Sequence, residues 1–125
     1  MAEKQTMEPV AKFVATLLHA RTSAHILHLQ TRSYAHHMAL GGLYESIGGL
    51  ADDFVEAFQG LYGVIEEYPS GYTPPARDAL AEVVALGRSV KTMRRQIPQD
   101  SELQNIIDEI ASLIDGTIYK LRFLA

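Results

Sequence analysis

The sequence predicts an all-α protein, an antiparallel four-helix bundle. Two observations support this fold class: apolar residues recur at intervals of three and four in four separate segments, and no segment alternates with the two-residue period of a strand. Clusters of turn residues separate the segments. A chain of 125 residues is long enough for one core that buries roughly two-thirds of the unfolded surface. Residues 1–125 are therefore expected to form a single domain.

The first two predicted helices follow each other closely. The first opens at Thr6, a favourable N-cap residue with Glu8 and Pro9 behind it, and runs to about Gln30. Its inward residues are Val10, Phe13, Leu17, Ala20, Ala24 and Leu27. Thr31-Arg32-Ser33 interrupts the pattern, and a second helix is predicted over Ala35 to Leu61. Its apolar stripe consists of Leu40, Leu43, Tyr44, Ile47, Leu50, Phe54, Phe58 and Leu61.

The last two predicted helices come after a loop rich in turn residues between Gly60 and Pro75. The third spans about Ala76 to Gln96, and Pro98 ends it. Asp100 or Ser101 caps the fourth. The apolar stripes are Leu80, Val83, Leu86, Val90, Met93 and Ile97 on the third helix, and Leu103, Ile106, Ile107, Ile110, Leu113, Ile114, Thr117 and Leu121 on the fourth. Mostly short connections predict an up-down bundle with one longer link in the middle.

Composition and charge narrow the function classes. There is no cysteine, so disulfides and thiolate metal ligands are excluded. No apolar run reaches the roughly 18 residues of a membrane span, and the first residues lack the basic and apolar regions of a signal peptide. We therefore expect a cytoplasmic protein without membrane contact. A net charge of −4, with only Lys4 ahead of the first helix, predicts little or no direct DNA binding.

Four residues stand out as candidate metal ligands: His28, His37, Asp52 and Glu56. In a chain without cysteine, a metal must be held by imidazole and carboxylate groups. Asp52 and Glu56 are four positions apart, whereas His37 precedes Asp52 by fifteen positions. Fifteen positions span roughly 22 Å along one helix, far more than metal–ligand bonds of about 2 Å allow. A shared metal therefore requires ligands from two chains.

The second predicted helix carries four glycines between positions 41 and 49 on or near the face that holds Asp52 and Glu56. Each glycine destabilises a helix by about 1 kcal/mol relative to alanine. A face that is only in contact with solvent gains nothing that would offset this loss. Small residues let another backbone approach closely. We therefore expect a homodimer that buries Gly41, Gly48 and Asp52, with Asp52 and Glu56 of one chain facing His28 and His37 of its two-fold mate.

The pattern of His28, His37, Asp52 and Glu56 resembles the inter-subunit ferroxidase motif of the Dps proteins (DNA protection during starvation), the dodecameric branch of the ferritin superfamily. The spacing from the second histidine to the two carboxylates is matched without a gap, and Tyr44 fits a common aromatic position of that helix. The C-terminal segment from Ile118 to Leu124 is similar to the end of the family's last helix. The chain departs from the family in a shorter segment between the two histidines and in Leu29, where the family usually has tryptophan.

The resemblance implies a ferritin-like fold and an iron site shared between subunits. It implies that His28, His37, Asp52 and Glu56 are both the metal ligands and the catalytic residues. Fe(II) would be oxidised there by peroxide or dioxygen, and the ferric mineral would be stored in a hollow homo-oligomer, a dodecamer of two-fold dimers. Zn²⁺ or Mn²⁺ are alternative ions for the same ligands. The competing prediction is a non-catalytic ferritin-like assembly or accessory protein, of a kind that phages also encode.

Several alternatives for the histidines stay open at this level. His28 lies on the inner stripe of the first helix, where a hydrogen-bonded core histidine is the simpler interpretation. His36 is an alternative to His37 as the ligand, and His25 with His28 and either of these two forms a weaker, all-histidine metal prediction. His19, His25 and His36 are expected to be surface or packing residues. No Glu-x-x-His pair supports the intra-bundle di-iron site of ferritins.

Overall fold

The computed structural model describes residues 3–125, with side chains described from Met7 onward. Helix α1 spans Glu3–Gln30, α2 spans Tyr34–Tyr62, α3 spans Ala79–Met93 and α4 spans Ser101–Phe123, with a short 3₁₀ turn at Arg94–Gln96. No strand occurs between residues 3 and 125. The all-α prediction and its four helices are therefore confirmed.

Side-chain caps set two helix starts. The Ser33 hydroxyl accepts a hydrogen bond from the His36 backbone N–H at 3.2 Å, which starts α2 at Tyr34. The Asp78 carboxylate accepts one from the Ala81 N–H at 3.0 Å. Because this cap fixes the start of α3 at Ala79, the predicted start at Ala76 was too early.

The predicted end of the third helix near Gln96 is confirmed, although residues 94–96 tighten from α-helix into the 3₁₀ turn ahead of Pro98. The predicted start of the first helix was wrong. Thr6 lies inside α1, which already begins at Glu3, so it is not the N-cap; its side chain lies outside the described ones.

The helices pack in the cyclic order α1, α2, α4, α3. Residues 63–78 form a crossover that leaves the end of α2 beside Met7 and returns along α1. On the way, the Tyr72 hydroxyl shares a hydrogen bond of 2.8 Å with the Ser23 hydroxyl. The crossover reaches Arg77 next to Gln30 and Thr31.

This path makes α2 and α3 parallel. Helix α4 is antiparallel to α2, since Tyr62 at the end of α2 contacts Asp100 at the start of α4. It is also antiparallel to α3, since Arg94 contacts Gln104 while Gly87 lies beside Ile114. The predicted longer link between the middle helices is therefore confirmed, but the up-down order is wrong: two antiparallel hairpins, α1–α2 and α3–α4, are joined by a crossover as long as the bundle.

The core lies between the two hairpins and follows the predicted stripes. Phe13 of α1 and Phe54 of α2 meet edge to face, with ring centroids 5.1 Å apart. The other large, fully buried side chains are Phe58, Leu17, Leu40, Leu43, Ile47, Leu103, Ile107, Ile110, Ile114 and Val10. Leu61 is the exception, because it lies in the last turn of α2 and is 46% exposed.

None of the described helices combines the length and the hydropathy that a bilayer crossing requires.

Candidate functional site

His28 and His37 form a stacked pair at the α1–α2 corner. His28 is in the last turn of α1 and His37 in the first turn of α2. Their ring centroids are 3.7 Å apart, with ring planes inclined by 19°. The Nδ1 atom of His28 lies 2.6 Å from the backbone oxygen of His37, and the Nδ1 atom of His37 lies 2.9 Å from that of His28. The two residues are thus held together by reciprocal hydrogen bonds.

These bonds fix the tautomer of both rings. A backbone carbonyl only accepts, so each Nδ1 carries a hydrogen and donates it. In the neutral imidazole the lone pair then resides on Nε2. Neither of these Nε2 atoms has a hydrogen-bond partner in the part of the chain that the structure describes. Each Nε2 is therefore a nitrogen donor on a ring that its Nδ1 bond orients. Because the two rings are stacked and nearly parallel, their Nε2 lone pairs point along separate lines.

Two more aromatic residues surround the pair. His25 stacks on Tyr44 at a centroid distance of 4.1 Å with nearly parallel planes, and Tyr44 meets His28 edge to face at 5.2 Å. We call His25, His28, His37 and Tyr44 the histidine cluster. The predicted packing role of His25 matches this stacking. The sequence did not indicate that His25 and Tyr44 meet, because the two residues lie on different helices.

Gly41 has a local role in the histidine cluster. A Cβ atom at this position would lie 3.2 Å from Cε1 of His28, tighter than ordinary van der Waals contact. The glycine therefore makes room for the His28 imidazole within the same chain. At Gly48 a Cβ would lie 2.8 Å from Nε of Arg21, but this arginine side chain is exposed and flexible and can move aside. Gly41 is therefore explained inside one chain, whereas Gly48 is not.

Asp52 and Glu56 lie on the exposed face of α2, far from the histidine cluster. Because α2 is continuous from Tyr34 to Tyr62, Asp52 is roughly 22 Å from His37 along the axis. Among the described residues, no group of three or more His, Asp or Glu side chains is close enough to hold a metal. One chain therefore brings the two histidines together and leaves the two carboxylates apart from them.

The carboxylates belong to a continuous exposed strip of α2. At about 100° per residue, positions spaced alternately by four and three share one side of a helix. The strip consists of Met38, Gly42, Glu45, Gly49, Asp52 and Glu56, all of them exposed. Nothing lies within 4 Å of a Cβ built on Gly42 or Gly49. The open glycines beside Asp52 are thus Gly42 and Gly49, and we call these six residues the acidic strip.

The remaining histidines are placed elsewhere. His19 packs on Tyr72 of the crossover, with centroids 5.3 Å apart. His36 lines a separate cavity, and its Nε2 atom is buried without a hydrogen-bond partner among the described side chains. The neighbour of His28 is therefore His37 and not His36.

Comparison with known proteins identifies the family of this chain. No curated protein and no solved structure matches this chain. One family model matches residues 28–121, a range that begins at His28, includes His37, Asp52 and Glu56, and covers most of the chain. The chain therefore belongs to a family of unknown function, DUF5856.

Proposed function

We propose that this protein is a ferritin-like, Dps-like ferroxidase that oxidises Fe(II) at a site shared by two copies of the chain. In this proposal His28 and His37 of one copy and Asp52 and Glu56 of its two-fold mate bind the iron. Iron is the substrate of the reaction, and the ferric product is stored in the assembled homo-oligomer. Zn²⁺ and Mn²⁺ are competing ions for the same ligands.

The crossover supports the ferritin-like part of the proposal. Four-helix bundles with one long crossover are the arrangement of ferritin-like folds, whereas simple up-down bundles have short loops throughout. Residues 63–78 supply such a crossover between two antiparallel hairpins. The crossover supports the fold class and says nothing about the reaction, since one fold supports many functions.

The observation that carries the proposal is the reciprocal hydrogen bonding of His28 and His37. A core histidine needs only a satisfied ring, yet here both rings use Nδ1 for the backbone and leave Nε2 free. Backbone carbonyls that hold Nδ1 are the usual outer support of metal-binding histidines. Gly41 adds to this support, because a larger residue would displace the His28 ring.

The carboxylates supply what the histidine pair lacks. Asp52 and Glu56 are exposed and one helical turn apart, so both point to the same side of α2. Two anionic oxygens favour Fe(III) over Fe(II), which makes loss of an electron easier once iron is bound. Each Fe(II) gives up one electron, and a peroxide takes two electrons and two protons to yield two waters. Glu45, on the same acidic strip, adds negative charge that attracts the incoming cation.

The test is the rate of Fe(II) oxidation by peroxide and by dioxygen. Asp52→Asn combined with Glu56→Gln keeps the shape of both side chains but removes two charges, so oxidation should fall to the rate in buffer. Asp53→Asn is the matched control, because Asp53 is also exposed on α2 but lies outside the acidic strip. This control should oxidise Fe(II) like the wild type.

A non-catalytic helical assembly is the second candidate. It is favoured by the contact of Gly41 with the His28 ring, which explains one of the four glycines without any second chain. In that case the wild type would oxidise Fe(II) no faster than buffer with either oxidant, and the double carboxylate variant would behave like the wild type. Solution mass and metal content of the purified protein separate the two candidates further.

A further inference from the structure

A second cavity lies at the same end of the bundle as the α1–α2 corner. It has a volume of about 460 Å³ and is bounded by the end of α1, the start of α2 and the start of α3. Its polar wall contains Arg32, His36 and Arg77, while Leu27 and Leu80 form an apolar wall. The cavity is separate from the histidine cluster and has no role in the proposed iron chemistry.

The cavity carries excess positive charge in a chain whose net charge is −4. Within the described residues, neither Arg32 nor Arg77 forms a hydrogen bond or an ion pair with the protein, whereas Arg94 is paired with Asp108. The one carboxylate that lines the cavity, Asp78, already accepts the Ala81 N–H. Two exposed arginine side chains therefore line one cavity, and neither has an ion pair among the described residues.

The backbone adds N–H hydrogen-bond donors, which carry partial positive charge. Helices α2 and α3 are parallel and both begin at this cavity, where Ser33 caps α2 and Asp78 caps α3. The first turn of α2 contains no acidic residue to offset its dipole, whereas the first turn of α3 contains Glu82. Ala79 and Leu80 line the cavity in the first turn of α3, where backbone N–H groups have no acceptor within the helix.

We propose that this cavity binds a phosphoryl group. Guanidinium groups match the oxygens of phosphate by paired hydrogen bonds, and first-turn N–H groups provide the same complementarity from the backbone. A volume of about 460 Å³ is within the range of small-molecule sites and exceeds the space that phosphate alone requires. The apolar wall of Leu27 and Leu80 then contacts the organic part of a phosphomonoester.

The test is titration of the full chain with inorganic phosphate and with phenyl phosphate, followed through backbone amide NMR shifts. Potassium chloride at matched ionic strength is the reference. We expect the Ala79 and Leu80 amides to shift in a saturable way, with a Kd of about 1 mM or lower. Tighter binding of phenyl phosphate identifies a phosphomonoester as the ligand class, and equal binding of the two identifies free phosphate.

Arginine variants make the test specific. Arg32→Gln combined with Arg77→Gln should weaken binding at least tenfold. Arg88→Gln combined with Arg95→Gln removes the same charge from exposed positions outside the cavity and should leave binding unchanged. The proposal is overturned if the amides respond to phosphate only as they do to chloride, or if both double variants weaken binding equally. Neither result bears on Fe(II) oxidation, which is measured separately.

Discussion

His28 and His37 each donate Nδ1–H to the backbone carbonyl oxygen of the other, at 2.6 and 2.9 Å. This exchange closes the corner between α1 and α2 and stacks the two rings. It therefore contributes to stability as well as to the proposed metal site, and the two contributions can be measured apart.

The histidine pair is expected to be energetically coupled. His28→Ala and His37→Ala should each lower the free energy of unfolding by about 1–2 kcal/mol, one hydrogen bond plus the ring stack. The double variant should lose less than the sum, because each single variant already removes the same stack. Urea denaturation measures all three. His25→Ala, which removes an exposed ring, is the control and should cost less; strict additivity would show that the stack contributes nothing.

The acidic strip is expected to be a dimer interface. Gly49→Leu places a bulky side chain on the strip in open space, so it should dissociate a dimer while leaving the monomer helical. Gly116→Leu is the matched control on α4, where a Cβ also meets nothing within 4 Å. Sedimentation at micromolar concentration measures the mass, and circular dichroism the helix content. A wild type that is monomeric at this concentration contradicts the prediction.

Because of Tyr62, the stability of the bundle is expected to depend on pH in the alkaline range. Its hydroxyl donates to the Asp100 carboxylate at 2.6 Å, and this hydrogen bond, with burial and the charges of Asp100 and Glu102, raises the pKa of Tyr62 above 10.0. The stabilisation is complete below pH 10 and is lost as pH rises through the raised pKa. Tyr62→Phe should therefore lose less stability than the wild type between pH about 8 and about 11.

The control for Tyr62 is Tyr119→Phe, which alters an exposed tyrosine at the far end of α4 and should keep the wild-type pH profile. Denaturant midpoints at the two pH values provide the measurement. An identical pH profile for Tyr62→Phe and the wild type would mean that the Tyr62–Asp100 bond does not link α2 to α4 in solution.

Arg94 is expected to matter for stability far more than its neighbour Arg95. The Arg94 guanidinium donates to the Gln104 side chain at 3.0 Å, to the Gln104 carbonyl at 3.2 Å and to Asp108 at 2.8 Å. Arg94→Leu should cost about 1–3 kcal/mol, since it leaves partly buried acceptors unpaired. Arg95→Leu, at an exposed position, should change stability by less than about 0.5 kcal/mol. Equal losses in thermal unfolding would contradict this assignment.

The protein is expected not to retain DNA at about 150 mM salt, because non-specific binding requires exposed Lys and Arg that neutralise phosphates. Arg94 and Arg95 are adjacent, but Arg94 is already paired with Asp108. A gel shift of plasmid DNA with micromolar protein measures the effect, and retention of the DNA would refute the prediction. Any protection of DNA should then come indirectly, from consumption of Fe(II) and peroxide.

The helices were predictable because periodicity reports burial directly. The stripes of α1 and α4 placed Val10, Phe13, Ile107 and Ile114 inside, and all four are buried. The start of α3 was less predictable, because Ala76 and Arg77 are compatible with a helix until the Asp78 cap is known. The direction of α3 is not encoded in any periodic pattern. It follows from where the crossover packs, and contacts such as Ser23 with Tyr72 are non-local.

The candidate site was predictable in part. Spacing alone separated His37 from Asp52, since a continuous helix has a fixed rise per residue. The meeting of His28 with His37 depended on the geometry of a three-residue corner, and spacing did not determine it. The contact of Gly41 with His28 was not predictable for a related reason: His28 belongs to α1, and a wheel drawn for α2 alone contains no information about α1.

The crossover has a consequence for how the molecule is held together. Between residues 63 and 78 only Ile65 is buried, and Pro75 is half-buried. A cut in the backbone there would remove almost no core contact. Its main effect would be entropic, because the two hairpins would no longer be held together by a covalent link. In energetic terms the protein is a complex of two helical hairpins that are also covalently linked. Its cohesion resides in the interface between those hairpins, and proteolysis at this link would leave a nicked but assembled bundle.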